Sequence, residues 1–440
     1  MPSSVGEVRS QQSAKQSANK SANVALAVLI AINILNFYDR YILGVLAEPI
    51  RREFHLSDTQ LGLLSSVFIW LYAIVGVPLG SLADRWSRRK LLAGGVAVWS
   101  VLTGLAAFAT SYMLLMFSRL GFAIGEAAVA PAATGWIGDL FPAHKRARPL
   151  ALFMAGVPVG AALTNFISGP IAQAFGWRQA MVIAAAPAVL LIPLLLMLRE
   201  PIRGAAEARK DNAKRSWREF LTIPTFWWIV ASGALLNFNL YALSSVLPAF
   251  LSRIHHVSVA QSGTLTGIAY LVGGLSGSLI AGWLGDKVVH KRANARMVCA
   301  AAFALFGAPM AWWGVASGNI VAAVMALTIF YGTLCAYYGF VYSSIQDIVA
   351  PSLRGIAMAV YFLAMYLCGA SFGPVLTGKV SDVMAHRAAE AAGSPVVTEA
   401  FKAIGLQQAM FIMPVLSVLL AAVLLGGSRT IAKDMRRRVA

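Results

Sequence analysis

The chain has 440 residues, of which 58% are hydrophobic and 12% charged, with a mean hydropathy of +0.70. Too few polar side chains remain to coat a water-soluble surface, so a soluble globular class is excluded. The net charge of +18 would suggest nucleic acid in a soluble protein, but Lys and Arg cluster in short segments between apolar runs, and no basic face interleaved with aromatics is left to bind it.

In chain order, residues 1–23 are rich in Ser, Ala, Gln and Asn with Arg9, Lys15 and Lys20, which predicts a disordered cytoplasmic arm. The apolar run that follows is too long for a signal peptide and ends without a cleavage-type small-residue pair. Windows of about 20 apolar residues, the length that spans a ~30 Å hydrocarbon core, predict twelve transmembrane helices. They cover 24–48, 59–83, 91–110, 112–140, 148–175, 179–198, 226–251, 261–285, 297–317, 319–349, 355–381 and 405–427. The fold class is therefore an all-α membrane protein. A charged cytoplasmic loop, 199–225, separates an N-terminal six-helix bundle, 24–198, from a C-terminal one, 226–428, and 429–440 forms a basic tail.

Orientation follows from the basic residues. With both termini cytoplasmic, the inner segments hold 27 Lys and Arg and the outer segments 7, leaving only Arg40 and Arg119 inside spans. The high charge is then a topogenic signal, with attraction to the anionic lipids of the inner leaflet as a by-product. Short loops and compact length point to a multi-pass protein of a bacterial inner membrane.

Little in the chain suggests catalysis. Cys299, Cys335 and Cys368 all lie in apolar runs without paired spacing, so no disulfide or metal framework is implied. His255 and His256, adjacent in an outer loop, read as solvated loop residues before metal ligands. GPVLTGKV at 373–380 has phosphate-loop spacing but ends in Val380 where a hydroxyl must ligate magnesium, and no strand precedes it. No serine elbow or metal cluster appears, so neither an enzyme nor a cofactor is expected.

Two segments suggest internal duplication: GSLADRWSRRK at 80–90 and GWLGDKVVHKR at 282–292, with SGPI at 168–171 and FGPV at 372–375 as a weaker echo. Two similar six-helix bundles are what a transporter needs to rock around one midplane site. Gly80, Asp84, Arg85, Arg88 and Lys90 resemble the cytoplasmic-loop signature of the major facilitator superfamily, and Asp286 belongs to the second copy. The resemblance implies a cytoplasmic gate at Gly80, Asp84, Arg85, Arg88 and Asp286. In it Asp84 latches the second helix to the N-terminus of the eleventh, where a carboxylate gains from the helix dipole, and Gly80 permits close helix approach. Ser87 stands where the superfamily usually has a second glycine.

More narrowly, YDRYILGVL at 38–46, the run from Gly62 to Leu92, RLGFAIGEA at 119–127, DLFP at 139–142, GWR at 176–178 and LREPIRG at 198–204 resemble the spinster branch of that superfamily. The branch is known for export of lysophospholipid and sphingosine phosphate. The C-terminal half matches only in fragments such as GPVLTGKVSD at 373–382, and Ala370 stands where an acid would be common.

Asp39 and Arg40 sit inside the first span. Fifteen residues separate Asp39 from Val24, which at ~1.5 Å each puts the carboxylate ~22 Å above the inner face. On the fourth span, which runs the other way, Arg119 lies ~10 Å and Glu126 ~21 Å below the outer face, and their seven-residue spacing puts both on one side of the helix. Each charge alone in lipid costs ~2.5 to 3.5 kcal/mol, so the four must face one another or a watery cavity. One reading is a pair of buried salt bridges that pin two helices. The other is proton coupling: Asp39 and Glu126 bind protons, while Arg40 and Arg119 hold an anionic head group or, in its absence, the acids.

Tyr38 on the first span, Asn237, Asn239 and Tyr241 on the seventh, and Tyr331, Tyr337, Tyr338 and Tyr342 on the tenth are candidate cavity residues, with helix packing as the alternative. Gly273, Gly274 and Gly277 read as close packing first and hinge second. The expected partners are a proton, membrane lipids and an amphipathic, lysolipid-like anion, handled by a monomer. A proton symporter of small hydrophilic organic anions such as sugar acids is the alternative, since such superfamily members also carry Asp-Arg in the first helix.

Overall fold

The computed structural model describes the backbone of residues 3–141, 147–201, 219–289, 294–349 and 353–439; some side chains within helices, including those before residue 21, lie outside the description. Twelve long helices carry the fold among the described residues. They are α1 (Ser3–Phe54), α2 (Asp58–Arg85), α3 (Arg88–Ala106), α4 (Tyr112–Leu140), α5 (Ala147–Phe175) and α6 (Trp177–Met197), then α7 (Pro224–Ile254), α8 (Val259–Leu284), α9 (Ala295–Ala316), α10 (Ile320–Ile348), α11 (Ile356–Ala391) and α12 (Glu399–Arg436). Eleven are long and apolar enough to cross a membrane. The twelfth, α3, has 19 residues and opens on Arg88, Arg89 and Lys90.

Local chemistry sets the ends and breaks. Ser57 and Ser258 form capping boxes with Gln60 and Gln261 at the starts of α2 and α8, satisfying N–H groups that a helix start leaves free. In α4 the helix breaks at Ala128, because Pro131 lacks an N–H and its ring crowds the carbonyl four residues back. Single π-turns interrupt α8 at Ala269–Gly273 and α11 at Tyr366–Ala370. The segment before residue 24, expected to be disordered, is helical from Ser3. Its Ala, Gln and Lys residues extend a helix already nucleated in the membrane, which costs far less than starting one. Of the charged inter-bundle loop, residues 202–218 lie outside the description, and the start of α7 is preceded by a short turn, Glu219–Thr222.

The burial pattern is inverted relative to a soluble protein. Phe108, Val189 and Leu279 are more than 70% exposed, while Asp39, Arg40, Arg119 and Glu126 are buried. The C-terminal bundle packs as one core around Phe250, Phe330, Tyr337 and Phe340. The N-terminal bundle has two separate cores. One, around Leu35, Trp99, Phe122 and Trp136, lies toward the termini, and the other, around Ile42, Leu46, Leu115 and Trp177, lies toward the opposite face. Between them fall Asp39, Arg40 and Arg119.

Duplication is visible in the contacts. Arg88 at the start of α3 pairs with Asp139 at the end of α4, and Arg296 at the start of α9 pairs with Asp347 at the end of α10 at 2.6 Å, each across 51 residues. The turns HLSDTQ (55–60) and HVSVAQ (256–261) both place a histidine at positive φ, 52° and 53°, followed by a capping serine.

The bundles meet at the face carrying these two turns, opposite the termini. There α1 packs on α7, α2 on α11 and α5 on α8, so closely that a Cβ on Gly44, Gly62 or Gly378 would collide with backbone of the other bundle. Toward the termini, the half of α8 from Gly274 onward and the half of α11 up to Met365 pack mainly within their own bundle, and the bundles part. Gly273 and Gly277 are packing positions, their Cβ space taken by Thr328 and Gly332 of α10. Gly80 is not: a Cβ there would meet Pro131 at an ordinary 3.8 Å, so close helix approach does not require glycine at that position.

These contacts predict opposite outcomes for one substitution. Gly277→Ala is expected to lower stability by about 1–3 kcal/mol through overpacking, whereas Gly80→Ala stays within about 0.5 kcal/mol or gains slightly from helix propensity. Unfolding of the detergent-solubilised protein by intrinsic fluorescence measures both.

Candidate functional site

The site is built from three helices of the N-terminal bundle and three of the other. On α1, Phe37 and Arg40 lie one turn apart; on α2, Phe68 and Tyr72 share a face; on α4, Arg119, Phe122 and Glu126 follow at helical spacing. Asp39 and Arg40 are neighbours in sequence and so point about 100° apart around the helix. Arg40 turns to the bundle interface. Its Nε and Nη2 donate to the same Glu126 oxygen at 3.0 and 2.7 Å, and its Nη1 reaches the Tyr241 hydroxyl of α7 at 3.5 Å. Three rings surround the guanidinium: Phe37 at 4.8 Å, Phe68 at 5.2 Å and Tyr72 at 4.5 Å. Rings favour a cation through their negative faces.

Arg119 has a different environment. Its guanidinium lies over Phe122 at 4.1 Å and Phe68 at 5.3 Å, and its Nε has no hydrogen-bond partner among the described residues. Asp39 is completely buried within electrostatic reach of Glu126, Arg119 and the Trp99 indole. Neither of its oxygens, nor Oε1 of Glu126, accepts a hydrogen bond among the described residues. A carboxylate so placed lacks the partners that normally offset burial. It is a place where a proton removes a charge that nothing else neutralises by contact.

The opposite wall comes from α7, α10 and α11. Tyr366, in the π-turn of α11, packs edge-on to Tyr72 at 5.5 Å and to Tyr241 at 6.2 Å, joining the bundles over Arg40. Farther along, the Tyr338 hydroxyl donates to Asn237 at 2.9 Å, and its ring meets Tyr342. A small cleft beside this cluster is lined by Arg40, Tyr41, Phe68, Arg119, Tyr241 and Ser244, among others.

Sequence candidates divide accordingly. Arg40, Arg119, Asp39, Glu126, Tyr241, Tyr338 and Asn237 come together. Tyr38 does not join them; its hydroxyl bonds Ser168 of α5 at 2.7 Å. Asn239 bonds Met413 and Ser417 of α12, and Tyr337 bonds Ser232 at 2.7 Å inside the C-terminal core. Tyr331 stacks on Tyr270 at 4.6 Å. Tyr72, Tyr366, Phe37 and Phe68 were not among the candidates; the i, i+4 spacing of Phe68 and Tyr72 was a readable signal, but Tyr366 depends on a π-turn that periodicity does not announce.

At the termini-side face, Arg85 is exposed and Arg88 is paired with Asp139. The side chains of Asp84 and Asp286 lie outside the described residues. Glu200 accepts from the Ser87 hydroxyl and the Arg88 N–H at 2.6 and 2.8 Å, so LREP and DLFP both serve the basic loop. In GWR, Gly176 takes φ +88° and the next two side chains bind Glu53. Outside the spans, burial, followed by the neighbouring His256, holds His255 below the usual histidine range. Among the described residues no group of His, Cys, Asp and Glu could hold a metal.

Removing one partner of the Arg40–Glu126 pair leaves an uncompensated buried charge. Arg40→Ala is therefore expected to cost about 3–5 kcal/mol. The Arg40→Ala/Glu126→Ala double variant should recover most of that loss, and thermal unfolding of the four proteins in a double-mutant cycle gives the coupling.

Comparison with known proteins gives a consistent set. The profile of the Major Facilitator Superfamily matches residues 29–374. An MFS-type efflux pump of Mycolicibacterium smegmatis is 31% identical over 358 residues, covering 80% of this chain and 83% of the relative. A probable L-galactonate transporter of Escherichia coli is 27% identical over 79% of this chain and 81% of its own. Spinster homolog 1 of Mus musculus is 30% identical over 93% and 81%. Among solved structures, a bacterial homolog of the human lysosomal transporter Spinster, in an inward-facing, unoccupied conformation, superposes with a TM-score of 0.85 at 27% identity over 94% of this chain and 98% of that one.

Proposed function

The chain belongs to the major facilitator superfamily, and from the Arg40–Glu126 centre at its bundle interface we propose that it is a proton-coupled secondary active transporter that moves an amphipathic anion by alternating access. The observation that carries the proposal is the coexistence, in one buried layer, of an arginine held by a carboxylate and a second carboxylate with no hydrogen-bond partner among the described residues.

Arg40 is the exchangeable element. Its planar fork serves a carboxylate or phosphate as well as it serves Glu126. An anionic head group that takes Arg40 leaves Glu126 without its cation inside a low-dielectric site, and a proton restores neutrality. Asp39 and Glu126 carry that proton, with Arg119 setting the potential between them. The phenolic wall of Tyr241, Tyr338, Tyr342 and Tyr366 offers apolar faces with hydroxyl edges, a surface suited to the junction of head group and chain in an amphipath. The bundles part toward the termini, so with cytoplasmic termini, as the 27-to-7 basic asymmetry favours, the site opens inward in a bacterial inner membrane. The spinster resemblance of the N-terminal half, carried by its sequence motifs, favours a lipid-like anion.

A second reading, symport of small hydrophilic acids such as sugar acids, draws on the likeness to the L-galactonate transporter. Proteoliposomes separate the two: the proposal expects pH-gradient-driven movement of a lysolipid, and transport of sugar acids with indifference to lysolipids favours the second reading. A chemically altered product would make the protein an enzyme instead. For coupling, Asp39→Asn and Glu126→Gln are each expected to abolish gradient-driven accumulation while counterflow exchange persists. Accumulation at the parent level in both variants would refute proton coupling through these acids.

A further inference from the structure

Beyond its apolar stretch α12 continues as helix to Arg436, toward the termini-side face. The two sides of this extension differ. Gly427, Ser428, Ile431 and Asp434 are buried, and Asp434 accepts from the Thr225 N–H of α7 at 3.1 Å and from its hydroxyl at 2.5 Å, with Thr430 bonded to the same hydroxyl at 2.6 Å. The carboxylate sits on the N-terminus of α7, where the helix dipole favours a negative charge, so the extension is docked. On the outward face Val415, Val418, Ala422 and Leu425 are exposed, and the same line continues, three or four residues at a time, into Arg429, Lys433 and Arg436, which are exposed too.

Two tryptophans fix the depth of this line. Trp227 and Trp228, at the start of α7, are exposed; the Trp227 indole donates to the Leu221 carbonyl at 2.8 Å, and the Trp228 side chain lies so close on α12 that a Cβ on Gly426 or Gly427 would meet it at 2.9 Å. Indole rings favour the boundary between hydrocarbon and head groups, so Arg429 stands just past that boundary. At ~1.5 Å per residue Arg429, Lys433 and Arg436 lie ~6, ~12 and ~16 Å beyond Leu425, and helical side chains lean toward the helix N-terminus, here back toward the bilayer. Crossing the membrane does not call for this arrangement: α6, the last helix of the first bundle, stops at Met197 with Pro201 close behind. A topogenic charge counts wherever it stands near a span, whereas these three share one face, as like charges at i, i+4 and i, i+3 that repel in water. Asp434, the one acid in the sequence after Glu399, is committed to α7 on the other side.

We propose that the outward face of α12 binds an anionic phospholipid of the termini-side leaflet, with an acyl chain along Val415, Val418, Ala422 and Leu425 and the phosphate held by Arg429 and Lys433, assisted by Arg436. The apolar and basic parts of the face follow each other in the order of chain and head group. A phosphate between the cations relieves their repulsion, and guanidinium meets it with paired donors. A zwitterionic head group brings a cation of its own to the stripe and gains less. Because Asp434 ties this segment to the start of α7, the bound lipid steadies both helix ends and stabilises the C-terminal bundle.

The test titrates the full chain, purified in detergent and stripped of lipid, with phosphatidylglycerol or phosphatidylcholine of identical acyl chains. Native mass spectrometry counts the bound lipid and thermal unfolding reads the stabilisation, neither of which depends on the transport reading. The parent is expected to prefer phosphatidylglycerol about tenfold, ~1.4 kcal/mol. Arg429→Gln/Lys433→Gln/Arg436→Gln should abolish that preference, while Arg52→Gln/Arg387→Gln, which removes exposed charge at the opposite face, should keep it. The preference is measured within each variant, so a change in the variant's own stability cancels, and lipid taken up at Arg40 contributes equally to parent and variants. Equal affinity of the parent for both lipids, a preference that survives the triple substitution, the same loss in the Arg52/Arg387 variant, or equal stabilisation by inorganic phosphate at matched ionic strength would each overturn the proposal.

Discussion

The constraint on which the structure depends is that four ionisable side chains are buried together inside a bundle that lipid surrounds. Water cannot solvate Asp39, Arg40, Arg119 and Glu126 from the membrane side, and apolar packing cannot satisfy them, so the bundle arranges itself around them. The N-terminal half accordingly has two apolar cores with the charged layer between, whereas the C-terminal half packs as one. Pinning α1 to α4 would be better achieved with leucine, since buried ion pairs seldom stabilise more than the apolar residues that could replace them. A layer that interrupts the core and leaves Asp39 without a hydrogen bond among the described residues has the form of a site rather than a brace.

The two bundles contribute different chemistry to that level. One supplies charge, the other phenols and an amide: Tyr241, Tyr338, Tyr366 and Asn237. Irregular backbone occurs near both contributions. Glu126 precedes the Pro131-induced break in α4, and Tyr366 lies in the π-turn of α11. Such breaks loosen the regular hydrogen-bond ladder where a side chain must be aimed or a helix must bend.

Much of this was legible in the sequence because the bilayer simplifies reading. Length of apolar windows gives the helices, and the charges left inside them mark the candidate site with no further pattern needed. Depth arithmetic placed Arg119 level with Asp39 and Glu126 about two turns deeper, yet it is Glu126 that Arg40 pairs with. It failed for Tyr38, Asn239 and Tyr337, since a polar group on a span is equally well satisfied by the next helix, and helical spacing does not say which neighbour it faces. The charged contacts between the bundles at the face opposite the termini were illegible for another reason: Glu48, Arg51, Asp58, Arg253 and Asp382 lie near helix ends, where charge is expected and so carries no signal. Only comparison of the two copies of the turn, with their unequal acids, distinguishes them.

Magnitudes decide whether one exchange at Arg40 is enough to drive a cycle. Inverting a two-state equilibrium from 1:99 to 99:1 takes about 5.5 kcal/mol of differential affinity. An exposed ion pair, at about 0–1 kcal/mol, falls well short. Breaking one partner from a desolvated, hydrogen-bonded charge pair involves about 2–5 kcal/mol or more, and Arg40–Glu126, buried on both sides, is of that kind. On the proposed mechanism, exchanging Glu126 for a substrate anion, with a proton cancelling the charge left behind, would therefore move free energy of the size the conformational change requires.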